Sequence, residues 1–209
     1  MVTIDGVRLN LDLSETIDVA TLLRRFEPEI VEAIRHHARP GNIVIDIGAN
    51  TGIHAMAFAA RISPGGKVYA FEPTNHAFAR LCEHVALNPQ LDVEPIQLAL
   101  SDQNLASQVV DFRSSWRTDG VIEHRVSNVA FSRFDDWILD KDIDRIDIVK
   151  LDVDGHEYPV LVGASEALKR FLPTVFMEVG HYHFEDLERD PVALLSKLGY
   201  RFWDAKSKQ

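Results

Sequence analysis

Three short runs set the limits on what this chain can fold into: IVIDI at 43–47, DIVKL at 147–151 and VFMEV at 175–179. Eleven of their fifteen positions are apolar, on both faces of each run, so such strands suit a sheet covered on both sides. A half-exposed antiparallel strand would alternate instead. Strands are expected at 42–47, 67–71, 93–98, 145–151 and 174–179, with a last one at 200–203. Helical spacing is read over 52–62, 74–87, 158–170 and 190–198, with Ser63-Pro64-Gly65-Gly66 and Asn88-Pro89 as stops. Strands alternating with helices of this length pair in parallel through right-handed crossovers. The expected fold is a doubly wound α/β domain, a mostly parallel sheet with helices on both faces. Residues 107–134 read as strands and loops.

Ahead of this pattern, residues 1–40 form an N-terminal extension, and 41–209 the main body of what is expected to be a single domain. The first dozen residues alternate as a hairpin or edge strand would, and 18–37 read as a helix that Pro28 breaks in two. A chain of 209 residues, 46% of them hydrophobic, can bury a core without staples. Cys82 is the sole cysteine, which rules out an intrachain disulfide and fits a reducing compartment; its helical setting reads as core. No apolar run reaches membrane-spanning length and the acidic N-terminus is no secretory signal, so the expectation is a cytoplasmic protein. The formal charge of −10 argues against a nucleic-acid partner.

The first strand runs into Asp46-Ile47-Gly48-Ala49-Asn50-Thr51-Gly52. Glycines at such a bend supply positive φ or let a ligand touch backbone, and free N–H groups at the following helix start suit an anion. The spacing D-x-G-x-x-x-G is neither the dinucleotide fingerprint nor a P-loop, which opposes a nucleotide-sugar oxidoreductase. Glu72 ends the second strand, 20 residues after Gly52, where an acid can accept from both ribose hydroxyls. The two signals together describe a nucleoside carrying a small charged tail.

A second acidic group, Asp152, Asp154 and Glu157 with His156, follows the fourth strand. Asp152 and Asp154 can share one face of the strand end, although Asp154 and Glu157 also suit the cap of the next helix. Glu178 ends the fifth strand, with His181 and His183 beyond it; H-x-H alone is a weak metal signal. The polar stretch FRSSWRTDGVIEHR, with Trp116, Arg113, Arg117 and Arg125, is the expected acceptor loop. Trp137 and Trp203 read as packing residues.

The motifs VIDIGANTG, VYAFEP, LALSD and VKLDVDGHEYPVLVGA, in this order over about residues 40–180, resemble those of the FkbM family of S-adenosylmethionine-dependent methyltransferases. The resemblance implies a class I methyltransferase (Rossmann-like) fold, S-adenosyl-L-methionine as cofactor, and O-methylation of a sugar or natural-product hydroxyl. It implies that Asp46, Gly48, Asn50 and Gly52 lie beside the methionine moiety, Asp46 facing its ammonium directly or through water, and Glu72 on the ribose. Ser101 or Asp102 would take the adenine amino group, unless the pair is only a turn. Asp152 would lie near the sulfonium. The base is sought among Asp152, Asp154, Glu157, Glu178, His181 and His183, with His181 and Glu178 ahead and Asp154 next. Asp154 stands where the family more often has Glu; the Asp152–Asp154 pair also resembles metal-dependent sugar O-methyltransferases and brings Mg²⁺ into question. The rival readings are a non-catalytic cofactor-binding scaffold and a methyltransferase for another substrate class. A final antiparallel strand, common in the class, is expected to be either absent or supplied by a partner.

Overall fold

The computed structural model describes residues 1–114, 117–120, 123–141, 143–179 and 189–203, without the side chains of 111–114 and 123–126. A hairpin of β1 (Val2–Ile4) and β2 (Val7–Leu9) opens the chain, followed by α1 (Thr16–Leu22) and α2 (Pro28–His37). Pro28 stands in the first turn of α2, where its missing N–H costs nothing, so the break falls where proline requires it.

The body alternates as expected: β3 (Ile43–Ile47), α3 (Ile53–Ile62), β4 (Lys67–Phe71), α4 (Asn75–Leu87), β5 (Val93–Ile96) and β6 (Ala99–Leu100). A long antiparallel pair follows, β7 (Leu105–Ser114) and β8 (Glu123–Ser132), then α5 (Phe134–Leu139), β9 (Ile148–Leu151), α6 (Glu157–Gly163), α7 (Ser165–Phe171), β10 (Thr174–Met177) and α8 (Pro191–Lys197). Five strands form one parallel sheet in the order β10-β9-β3-β4-β5. The order reverses between β3 and β9, the place where open α/β sheets bind ligands. Pro95 sits in β5, an edge strand, where a missing donor is tolerated. A second sheet, β6-β8-β7, carries the long hairpin.

Period-two alternation sends Val44 and Ile148 to one face, with Phe58, Ile62 and Leu81, and Ile45, Ile47, Val149 and Leu151 to the other, with Val160, Leu161 and Leu168. Both faces of the central strands β3 and β9 are therefore buried, as their apolar runs demanded. Fully burying a side chain such as Phe58 stabilises by about 1.5–3 kcal/mol. Val7, Leu9 and Ile34 of the extension belong to the first of these cores, so the extension packs as part of the body.

Several local expectations are corrected. Residues 200–203 form no strand: the chain folds back on the end of α8 through Tyr200 N–H to Leu195 O, and Trp203 is 77% exposed instead of packed. Trp137 does pack, against Phe71 and Phe134, from the helix α5 that follows the expected strand-and-loop stretch. The helix read over 158–170 is two helices meeting at Ala164. Cys82 is half-buried on the flank of α4, not a core residue. No helix among the described residues is long and apolar enough to cross a membrane.

Candidate active site

The bend after β3 is closed by its own donors. Gly48 and Ala49 N–H donate to Phe71 O at 3.0 and 2.9 Å, Asn50 N–H to Glu72 Oε2 at 3.0 Å, and Gly52 N–H to Ala49 O at 2.8 Å. Gly48, at φ +78°, presses on the end of β9: a Cβ there would lie 1.9 Å from Asp152 O. Gly52, at φ +85°, faces Leu81, whose Cδ1 would be 2.5 Å from a Cβ. Both glycines are thus required by chain packing as well as by dihedral sign.

Glu72 is buried, and its Oε1 also accepts from Thr74 N–H at 2.8 Å and Thr74 Oγ1 at 2.5 Å. Burial pushes its carboxyl up, and these hydrogen bonds oppose the shift. It ties the bend to the start of α4.

Beneath the bend lies a group the sequence reading missed. Asp46 and Lys150 are register neighbours on β3 and β9 and point to the same face. Lys150 is 3% exposed and Asp46 fully buried, with Nζ 3.5 Å from Asp46 Oδ1 and 3.1 Å from Asp152 Oδ2. Neither Asp46 oxygen has a hydrogen-bond partner among the described residues. Burial opposes the charge on Lys150, but Asp46 and Asp152 outweigh it and hold the ammonium above the ordinary lysine value. Burial pushes Asp46 up, against the pull of Lys150. The available signal was a lysine inside an apolar strand, since a buried charge needs a partner.

The cleft above encloses about 140 Å³. Asp152, Asp154 and Glu178 form one wall, each offering an oxygen within 4.8 Å of the others. Burial and neighbouring Asp152 raise the carboxyls of both Asp154 and Glu178. Glu157 is fully buried instead, accepting from Val153 and Gly155 N–H, so it braces the loop. His156 turns to Ser101, whose Oγ lies 3.0 Å from Nε2 and 3.2 Å from Asp102 Oδ1. Ser101, Asp102 and His156 are thus a separate cluster from the residues lining this cleft. His181, His183 and Trp116 lie outside the described residues, as do the side chains of Arg113 and Arg125; Arg117 pairs with Asp119 at 2.6 Å.

The opposite wall comes from the extension and α3, also unforeseen. Ile17, Phe26 and Glu27 face the bend, and Phe26 stacks on His54 with ring centroids 5.0 Å apart. His54 is buried and pushed down to about 3, chiefly by that burial, so it is neutral. Glu27 Oε2 is 3.6 Å from His54 Nδ1, and burial with nearby Asp152 pushes its carboxyl up to about 7. Two lining residues carry buried atoms with no hydrogen-bond partner among the described residues, Thr51 Oγ1 and His54 Nε2.

Comparison with known proteins gives the same direction. The family model for the methyltransferase FkbM domain matches residues 46–202. The 2-O-methyltransferase NoeI of Sinorhizobium fredii is 28% identical over 164 residues, covering 67% of this chain and 65% of that protein. The hexuronic acid methyltransferase AglP of Haloferax volcanii is 28% identical over 151 residues, 69% and 59% of the two chains. The chain thus spans less than two thirds of the length of these relatives. Among solved structures, methyltransferase FkbM from Methylobacillus flagellatus superposes with TM-score 0.54 at 18% identity, covering 90% of this chain and 50% of that one. Fibrillarin from Aeropyrum pernix, solved with natively bound S-adenosyl-L-methionine, gives TM-score 0.51 at 14% identity, covering 83% and 66%. The class I methyltransferase fold expected from the motifs is the fold observed.

Proposed function

This chain belongs to the FkbM methyltransferase family, and from that premise we propose that it transfers a methyl group from S-adenosylmethionine to a hydroxyl of a sugar or other small natural product. The observation that carries the reading is the bend 48–52 set at the switch point of the sheet, with the Asp152 wall beside it. Bound there, S-adenosylmethionine supplies a methyl group already activated by its sulfonium.

The chain's own part is alignment, which can supply roughly 7–11 kcal/mol of the barrier. Gly48, Asn50 and Gly52 shape the seat for the amino-acid end, and Glu72 accepts from the ribose with the one acceptor site, of about four, that its three hydrogen bonds leave free. Ser101 or Asp102, in the cluster beside this cleft, receives the adenine amino group. Asp46 acts at one remove, holding Lys150, which in turn fixes Asp152. An acceptor hydroxyl is a poor nucleophile until a base takes its proton, an effect of about 10²–10⁴-fold. Glu178, Asp154 and His181 are the candidates. Burial and Asp152 raise the carboxyls of the first two, which makes each a stronger base than an ordinary carboxylate.

A magnesium ion at Asp152, Asp154 and Glu178 is a second reading, favoured by the spacing of their oxygens. It is weakened by Lys150, which already places a positive charge on Asp152. Full transfer after exhaustive chelation would remove it. Mass spectrometry of small-molecule extract incubated with the protein and a trideuteromethyl donor tests the whole reading. A hydroxylated compound gaining the labelled methyl is expected; cofactor binding with no labelled product from any extract would leave a scaffold.

A further inference from the structure

We propose that Glu27, on the segment between α1 and α2, is the receptor for the α-ammonium group of the bound cofactor, so that the N-terminal extension forms part of the cofactor site. The inference rests on the methyltransferase reading above and adds to it a residue outside the span matched by the family model, which begins at residue 46.

The argument is an accounting of charge around the amino-acid end. Its carboxylate is matched by the start of α3, where the first N–H groups have no intrahelical partner. Its ammonium needs a carboxylate or carbonyl, and the bend offers no carboxylate. Asp46 is fully buried beneath the bend and engaged with Lys150. Glu72 is buried and holds Asn50 and Thr74. Asp152 is bound to Lys150. Asp154 and Glu178 are exposed on the wall after β9 and β10. Glu27 is the lining carboxylate that stands on the other wall, beside His54 at the start of α3 and facing the bend.

Two further features agree. Glu27 has φ 38° and ψ 62°, a left-handed conformation that a residue with a side chain adopts at a cost, and Asn50 across the cleft has φ 50°. Strain of this kind gathers where side chains must be aimed at a ligand. The carboxyl of Glu27 is also held up by burial and by Asp152, Glu178 and Asp46, with only Lys150 opposing. An arriving cation relieves that repulsion.

Titration calorimetry tests the assignment with wild type, Glu27→Gln, and Glu32→Gln, which removes an equal charge from an exposed site on α2. The ligands are S-adenosylmethionine, S-adenosylhomocysteine, which keeps the ammonium but not the sulfonium, and 5′-methylthioadenosine, which has neither. Glu27→Gln should weaken the first two alike by about tenfold or more. It should leave 5′-methylthioadenosine unchanged, which also reports an intact fold, and Glu32→Gln should change nothing. Unaltered affinity of Glu27→Gln for S-adenosylmethionine would overturn the assignment and leave the methyltransferase reading standing. So would an equal loss for 5′-methylthioadenosine, or a loss confined to the sulfonium compound. Wild type binding none of the three would overturn both.

Discussion

The floor of the cleft and its roof are built by different means. On the floor, Asp46 and Lys150 are fixed by two central parallel strands in register, with Asp152 two residues on. In the roof, Phe26 and Glu27 hang on residues 23–27 between two helices, steadied by the stack of Phe26 on His54 and by the approach of Glu27 to the same neutral imidazole at 3.6 Å. The floor is dry and charged, so a single deletion there is a folding event. The roof is partly wet, so a deletion there should register in binding alone. Four measurements break or sharpen that contrast.

The largest effect is expected from Lys150→Met. It leaves Asp46 buried with no counter-charge, a loss of about 3–5 kcal/mol by the general behaviour of broken buried pairs. Urea unfolding reads it, and the double variant Lys150→Met with Asp46→Asn should recover much of the loss because no orphaned charge remains. Equal stability of wild type and Lys150→Met would mean that the floor is not held by charge.

Gly48→Ala comes next. Its methyl would lie 1.9 Å from Asp152 O in a backbone conformation that side chains rarely adopt, so strand ends must part. A loss of about 1–3 kcal/mol from the dihedral alone is expected, with more from the clash. Cofactor binding should vanish with it, because the displaced residue is the one beside Asp152. Unfolding midpoint and calorimetric affinity should fall together; a stable variant that still binds would show the bend to be more pliable than its contacts imply.

This contrast also explains what could be read in the sequence. IVIDI and DIVKL announced a covered parallel sheet because local pattern and burial agree there, whereas VFMEV, equally apolar, forms the half-buried strand β10 at the end of the sheet; the Gly48–Gly52 bend follows from strand, glycine and helix in succession. Lys150 stood in plain sight, yet its partner depends on the register of β3 against β9, which no local pattern carries. Glu27 was visible only as the residue before a helix-breaking proline; its neighbours are 27 residues away at His54 and further at Asp152. YRFW has the composition of a strand, but the backbone turns back on α8, and composition alone makes no strand. Glu157 looked like a site residue because acidity in a loop gives no hint of which carboxylate the loop consumes for itself.

Between floor and roof stands Glu72, and Glu72→Ala should give an intermediate result. Removing the ribose acceptor is expected to weaken S-adenosylmethionine by about 1–3 kcal/mol in calorimetry. The same substitution frees Asn50 and Thr74 N–H, so amide exchange at those two residues should accelerate. Loss of protection without loss of affinity would make Glu72 a brace only.

The smallest effect, and the most telling for the roof, is the pH dependence of cofactor affinity. Unliganded Glu27 is pushed up to about 7, and only its ionised form attracts an ammonium. Affinity should therefore climb from pH 6 to 7.5 by at most about tenfold, then decline near 8 as an α-amino group loses its own proton. His54, held neutral with a value of about 3, cannot supply this limb, and Lys150 is charged throughout. Stability runs the other way. A carboxyl raised above its unfolded value of 4.5 holds a proton in the fold that the unfolded chain has released, so its contribution is present below that value and is lost as pH rises through about 7. Over one interval the unliganded protein should thus weaken slightly while its grip on the cofactor tightens. Glu27→Gln should abolish the acid limb of the affinity profile, and an unchanged limb in that variant would transfer the titration to the wall formed by Asp154 and Glu178.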